Sequence, residues 1–125
     1  MTPLEQQFSI LNGKYENARI DMLPSGAALI TIPEQKLPNG WSKSVSTLKF
    51  IAPAGYPFGS PDCFWADVDL RLENGSMPQA SNISAPPEIS EPLLWFSWHV
   101  QSWNANRDNL LSYVGVIMNR FFEAK

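Results

Sequence analysis

Leu4, Phe8 and Leu11 recur at helical spacing behind Thr2-Pro3-Leu4-Glu5, which has the form of a capping box. The Thr2 hydroxyl can accept from the Glu5 amide while Glu5 reaches back, and Pro3 suits the first helical position. Asn12-Gly13 then supplies a stop. Two short runs rich in Ile and Leu, Ala18 to Leu23 and Ala27 to Ile32, flank the turn triplet Pro24-Ser25-Gly26 and predict a β-hairpin. A loop from Pro33 to Gly40 follows.

In Ser44 to Ile51 the period is two: Ser46, Leu48 and Phe50 share one face, Val45, Thr47 and Lys49 the other. That is a third strand with one buried side. Three prolines between Ala52 and Pro61 forbid regular ladder pairing and predict an extended crossing of the surface. Asp62 to Ala66 resumes as a strand, and Asp67 to Glu91 reads as one long polar loop, a length often associated with function. Leu110, Val114, Ile117 and Phe121, widened by Leu111, Met118 and Phe122, form the stripe of an amphipathic helix from Ala105 to Phe122, with Asn104 or Asn106 as its cap. The elements describe an α+β domain, an antiparallel meander backed by helices on one face.

The chain has 125 residues, of which 44% are apolar and 12% aromatic, enough for a single domain with one core over residues 1–125. Nine Lys and Arg against twelve Asp and Glu leave a net charge of -3 and no basic stripe for a phosphate backbone, which argues against nucleic acid. No apolar run approaches a membrane span, and the start lacks the features of a signal peptide, so a cytoplasmic protein is expected. One cysteine and one histidine are too few for a typical zinc site or an internal disulfide.

More specific sequence features lie from Phe50 to Phe64, where Tyr56-Pro57 and Ser60-Pro61 precede a strand. This resembles the Tyr-Pro-x-x-Pro-Pro signature of ubiquitin-conjugating (E2) enzymes. There the signature follows the third strand of a meander, precedes a fourth strand and a long active-site loop, and leads to a Trp that opens the next helix; Trp103-Asn104-Ala105 stands in that position. Gly40-Trp41-Ser42, Gly55-Tyr56-Pro57-Phe58, Pro61-Asp62-Cys63-Phe64-Trp65, Phe96-Ser97-Trp98-His99 and Trp103-Asn104-x-Asn106-Arg107-Asp108 are similar to the bacterial group called prokaryotic E2 family E. The resemblance implies a UBC/E2-like fold: a four-stranded antiparallel meander with an N-terminal and a C-terminal helix. It further implies an E1-like activating enzyme and a ubiquitin-like protein as partners, a JAB-type peptidase in the same pathway, and no cofactor. The chain departs from the E2 pattern in lacking His-Pro-Asn and in having no cysteine in the window before Trp103, which falls at residues 95–97.

Within that window Ser97 is the candidate acceptor of a ubiquitin-like carboxyl group as an oxyester. A serine needs a base, and His99, two residues on, shares its face in an extended segment. Both residues can equally shape the loop through backbone hydrogen bonds. Cys63 is the stronger nucleophile in chemistry, yet a core strand would bury it, and adjacent Asp62 disfavours its thiolate. Asn82 and Asn74 can supply carbonyl polarisation, or serve simply as turn residues. Trp95, Trp98 and Trp103 read as aromatic filling that holds this loop still, and Phe58 as a tip exposed to a partner.

Overall fold

A computed structural model describes residues 2–100 and 102–125. Helix α1 spans Pro3–Lys14, with Thr2 accepting from the Glu5 amide as the capping sequence requires. It runs slightly past Asn12-Gly13. The Asn12 side-chain amide donates to the carbonyls of Tyr15 and Glu16 at 3.1 and 3.0 Å, so Asn12 ties down the exit from the helix.

Among the described residues six antiparallel strands follow in chain order: β1 (Arg19–Met22), β2 (Ala28–Lys36), β3 (Val45–Ala52), β4 (Phe64–Ala66), β5 (Ser81–Ser84) and β6 (Leu93–Phe96). Their order across the sheet is β1-β2-β3-β4-β6-β5. The α+β class stands as expected, with six strands where the meander predicted four. The hairpin closes at residues 24–26, with Leu23 donating to Ala27 O at 2.8 Å.

The fourth strand, read as Asp62 to Ala66, begins only at Phe64, so Cys63 lies just outside it. Three further differences from the sequence reading each have a local reason. Pro33 does not end β2: a register shift between Ile32 and Gln35, with Glu34 at φ 54°, places the proline in a bulge, and pairing resumes to Lys36. The long 67–91 segment contains β5, whose Ser-Asn-Ile-Ser sequence is too polar to stand out as a strand and is formed by pairing with β6. The last helix, α2, is Leu110–Phe121 and not 105–122. Asn109 and Ser112 form a reciprocal capping box, while Asn104 caps a separate turn by accepting from the Asn106 amide.

Ile30, Ile32, Leu48, Phe50, Phe64, Ala66, Leu94 and Phe96 on one sheet face join Leu11 of α1 and Leu110, Val114, Ile117 and Phe121 of α2 in a single core. Tyr113 and Arg120 complete the buried α2 stripe, whereas Phe122, assigned to it from spacing, is 69% exposed. On the opposite face Leu29, Thr31 and Trp65 are buried as well. Residues 85–92 strap this side: Glu88 accepts from Ser25 N and Oγ at 3.0 and 2.7 Å, and Glu91 pairs with Lys49 at 3.7 Å. Among the described residues no helix is long and apolar enough to cross a membrane.

Candidate functional site

The chemistry-bearing residues meet where β4 begins and β6 ends. Phe64 pairs with Phe96, so a continuing ladder would set Cys63 against Ser97. Instead the Cys63 amide donates to Trp98 O at 3.0 Å, one residue further on. The slip is a bulge, and Cys63 adopts a left-handed conformation at φ 59°, uncommon for a side chain with a Cβ. Such strain persists only where surroundings over-determine it, and it concentrates at functional positions. Here the surroundings are visible. Tyr113 Oη on α2 donates to Cys63 O at 2.8 Å, and burial raises the Tyr113 pKa, keeping it a donor.

The proline-rich crossing reaches this point through a brace. Tyr56 Oη donates to the Gln7 side chain of α1, Trp103 Nε1 donates to Pro57 O at 2.8 Å, and the Tyr56 and Trp103 rings lie 6.0 Å apart. The Tyr56-Pro57 peptide is cis. Tyr56 is thus structural, its pKa raised by burial, while Phe58 at the tip is 86% exposed.

His99 turns its Nδ1 to the Asp62 carboxylate and makes no hydrogen bond to Ser97 among the described residues. That contact assigns the neutral ring as Nδ1–H toward Asp62, leaving Nε2 as the proton acceptor. Both side chains are about two-thirds exposed, so the pair adds little stability and chiefly orients the imidazole. Beside it Trp98, Val100, Ser102, Val116 and Asn119 line a shallow hollow of about 360 Å³. The larger cleft, about 780 Å³ around Arg19, Lys43 and Lys49, lies apart from these groups.

Ser97 is half-buried, its amide donates to Ala80 O at 2.8 Å, and its hydroxyl makes no hydrogen bond among the described residues. Cys63 is also half-buried; burial pushes its thiol pKa up, the Asp62 charge adds to this, and a hydrogen bond from the Trp95 side chain opposes it. Asn82 stands directly across from Trp95, on the same sheet face, with its Oδ1 accepting from the Ile83 amide at 2.9 Å. Register therefore gathers Asn82, Trp95, Ser97 and Cys63 at one end of the sheet. Asn74 is elsewhere: it closes a turn by accepting from the Ser76 amide, beside Gly40 and Ala124.

Arg120 was not evident as a site residue. It is 2% exposed, with its guanidinium over the rings of Phe96, Trp98 and Trp41 at 5.2, 5.5 and 5.8 Å. Among the described residues no Asp or Glu side chain pairs directly with it, although the Glu123 charge acts on it from nearby. It donates instead to the main-chain oxygens of Glu123, Gln79 and Lys125 at 2.7, 3.0 and 2.7 Å. The residues flanking Ser97 thus rest on a buried cation whose pKa burial lowers. Its position three residues after Ile117 in an apolar stripe was the available signal.

Residues 14–124 match the family described as Prokaryotic E2 family E. No curated protein and no solved structure gives a significant match. With the match running from the end of α1 through α2 and across every strand, the chain belongs to prokaryotic E2 family E.

Proposed function

We propose that this chain is an E2-like carrier: it accepts an activated ubiquitin-like protein from an E1-like enzyme and transfers it to an amine. The observation that carries the reading is the convergence at the β4–β6 bulge of the Asp62–His99 pair, the strained Cys63 and a Ser97 hydroxyl that has no hydrogen-bond partner among the described residues. Ser97 is the proposed acceptor. Its Oγ attacks the activated carbonyl as its proton passes to His99 Nε2, the bond from that carbonyl to the activating group breaks and the group departs with the electron pair, and an oxyester forms; an amine then attacks the oxyester, the C–Oγ bond breaks, Oγ takes the imidazolium proton, and the proton shed by the new amide passes to the freed imidazole and on to solvent. In the resting chain His99 is held by Asp62, so the step needs the ring to swing toward Ser97 or a water to bridge them. Asn82 is proposed to polarise the carbonyl.

A second reading has its own support. Burial disfavours the Cys63 thiolate, Asn82 already engages Ile83, and His-Pro-Asn is absent, which together suit a non-catalytic E2-fold module that binds the ubiquitin-like protein or the E1. Incubation with the E1-like enzyme, the ubiquitin-like protein and ATP, read by intact mass, separates the two. The carrier reading predicts a covalent adduct whose formation slows roughly 10²-fold or more in His99→Gln and by a smaller factor in Asp62→Asn. Binding without any adduct supports the module.

A further inference from the structure

The two edges of the sheet are guarded differently. β1 ends the sheet on one side with Arg19 and Asp21, charges that discourage strand addition. β5 ends it on the other with Ser81-Asn82-Ile83-Ser84, flanked by Ala80 and Ala85, and carries no charge and no proline.

Register identifies which β5 groups are free. Because the Ser97 amide donates to Ala80 O, the ladder bonds to β6 fall at Ala80, Asn82 and Ser84, and the main-chain groups of Ser81 and Ile83 point outward. One outward donor, the Ile83 amide, is held by Asn82 Oδ1 at 2.9 Å. The Ser81 amide and the outward carbonyls have no partner among the described residues.

The geometry points to the β5 edge as the docking strand for the extended C-terminal tail of the ubiquitin-like protein, an inference that rests on the carrier reading. The tail runs antiparallel to β5, as every strand pair in the sheet does, and so ends at Ala80, which bonds the Ser97 amide. From there two strand spacings, about 10 Å, separate it from β6, a gap that about three extended residues span. A tail carbonyl takes over the Ile83 amide, and this frees the Asn82 side chain on the face it shares with Trp95 and Ser97. Tail docking and release of the carbonyl-polarising group are then one event.

Amide hydrogen exchange of the full chain, followed by NMR with and without the ubiquitin-like protein, tests this. The expected result is slowing at Ser81 and Ile83, absent when the last six residues of the ubiquitin-like protein are removed. Ile83→Pro deletes an outward donor without touching the β6 ladder. It should fold with an unchanged circular-dichroism spectrum and weaken tail binding about tenfold, while Ile83→Val should not. Binding that leaves Ser81 and Ile83 exchange unchanged overturns the inference, as does concentration-dependent protection without the ubiquitin-like protein, which would mark the edge as a contact between copies. Undiminished adduct formation by Ile83→Pro overturns it while leaving the carrier reading intact; edge protection with no adduct overturns the carrier reading instead.

Discussion

Replacing Arg120 with Met keeps most of the buried stem and removes the guanidinium. Three hydrogen bonds to main-chain oxygens are lost, each worth about 2 kcal/mol when the donor is charged, together with a stacking contribution of about 1 kcal/mol or more. Against that gross loss of roughly 7 kcal/mol stands relief from burying a charge that no Asp or Glu side chain directly pairs, several kcal/mol after relaxation. The expected net destabilisation is about 2–4 kcal/mol, a fall in Tm of roughly 10 °C for a chain of this size. Urea unfolding followed by tryptophan fluorescence measures it. A local readout accompanies the global one: the Gln79 amide, bonded to Lys125 O at 3.1 Å, should exchange faster because Arg120 no longer holds both partners. Arg120→Lys, with one compact ammonium in place of a fork, should recover only part of the loss. Stability within about 0.5 kcal/mol of wild type, with Gln79 exchange unchanged, would refute the view that the buried cation fastens residues 123–125 to the strand that supports Ser97.

Cys63 should alkylate slowly at pH 7 in the folded chain and quickly in urea, with a pH midpoint above the ordinary thiol range. Trp95→Phe removes the opposing hydrogen bond and should move the midpoint further up. Because the folded thiol binds its proton more tightly than the unfolded one, stability is fully present below the unfolded pKa and is lost as pH rises through the folded pKa. Tyr56 and Tyr113 act in the same direction, so the Cys63 share is the difference between wild-type and Cys63→Ser unfolding curves above that range. Gly40→Ala should cost about 1–3 kcal/mol, since Gly40 has φ 104° and an added Cβ would fall 2.5 Å from Ala124 Cβ; adding Ala124→Gly should restore the steric part only, as urea melts of the two variants would show.

The parts of the fold legible in the sequence were those with strong periodicity. β3 shows its alternation in side-chain type, and the α2 stripe from Leu110 to Phe121 and the Thr2 cap are equally plain. What stayed hidden depends on tertiary pairing. β5 has no apolar pattern of its own, β2 crosses Pro33 only because a bulge absorbs the proline, and α2 begins at Asn109 because Asn104 is occupied by a turn of its own. The same holds at the site. Ser97, His99, Cys63 and Asn82 could be nominated by residue type, but the pairing of His99 with Asp62 spans 37 residues, and the bulge at Cys63 is a property of two strands together. Arg120 has the spacing of a core residue and the chemistry of a surface one, so its burial is explained only by its tertiary partners, the aromatic rings and the three main-chain oxygens it bonds.

The acyl linkage itself is the most direct thing to measure: intact mass of the charged chain before and after thiol treatment, in wild type, Ser97→Ala and Cys63→Ala. A Ser97 oxyester gives an adduct that survives thiol, persists in Cys63→Ala and is lost in Ser97→Ala. A thiol-labile adduct that is lost in Cys63→Ala and persists in Ser97→Ala would contradict it.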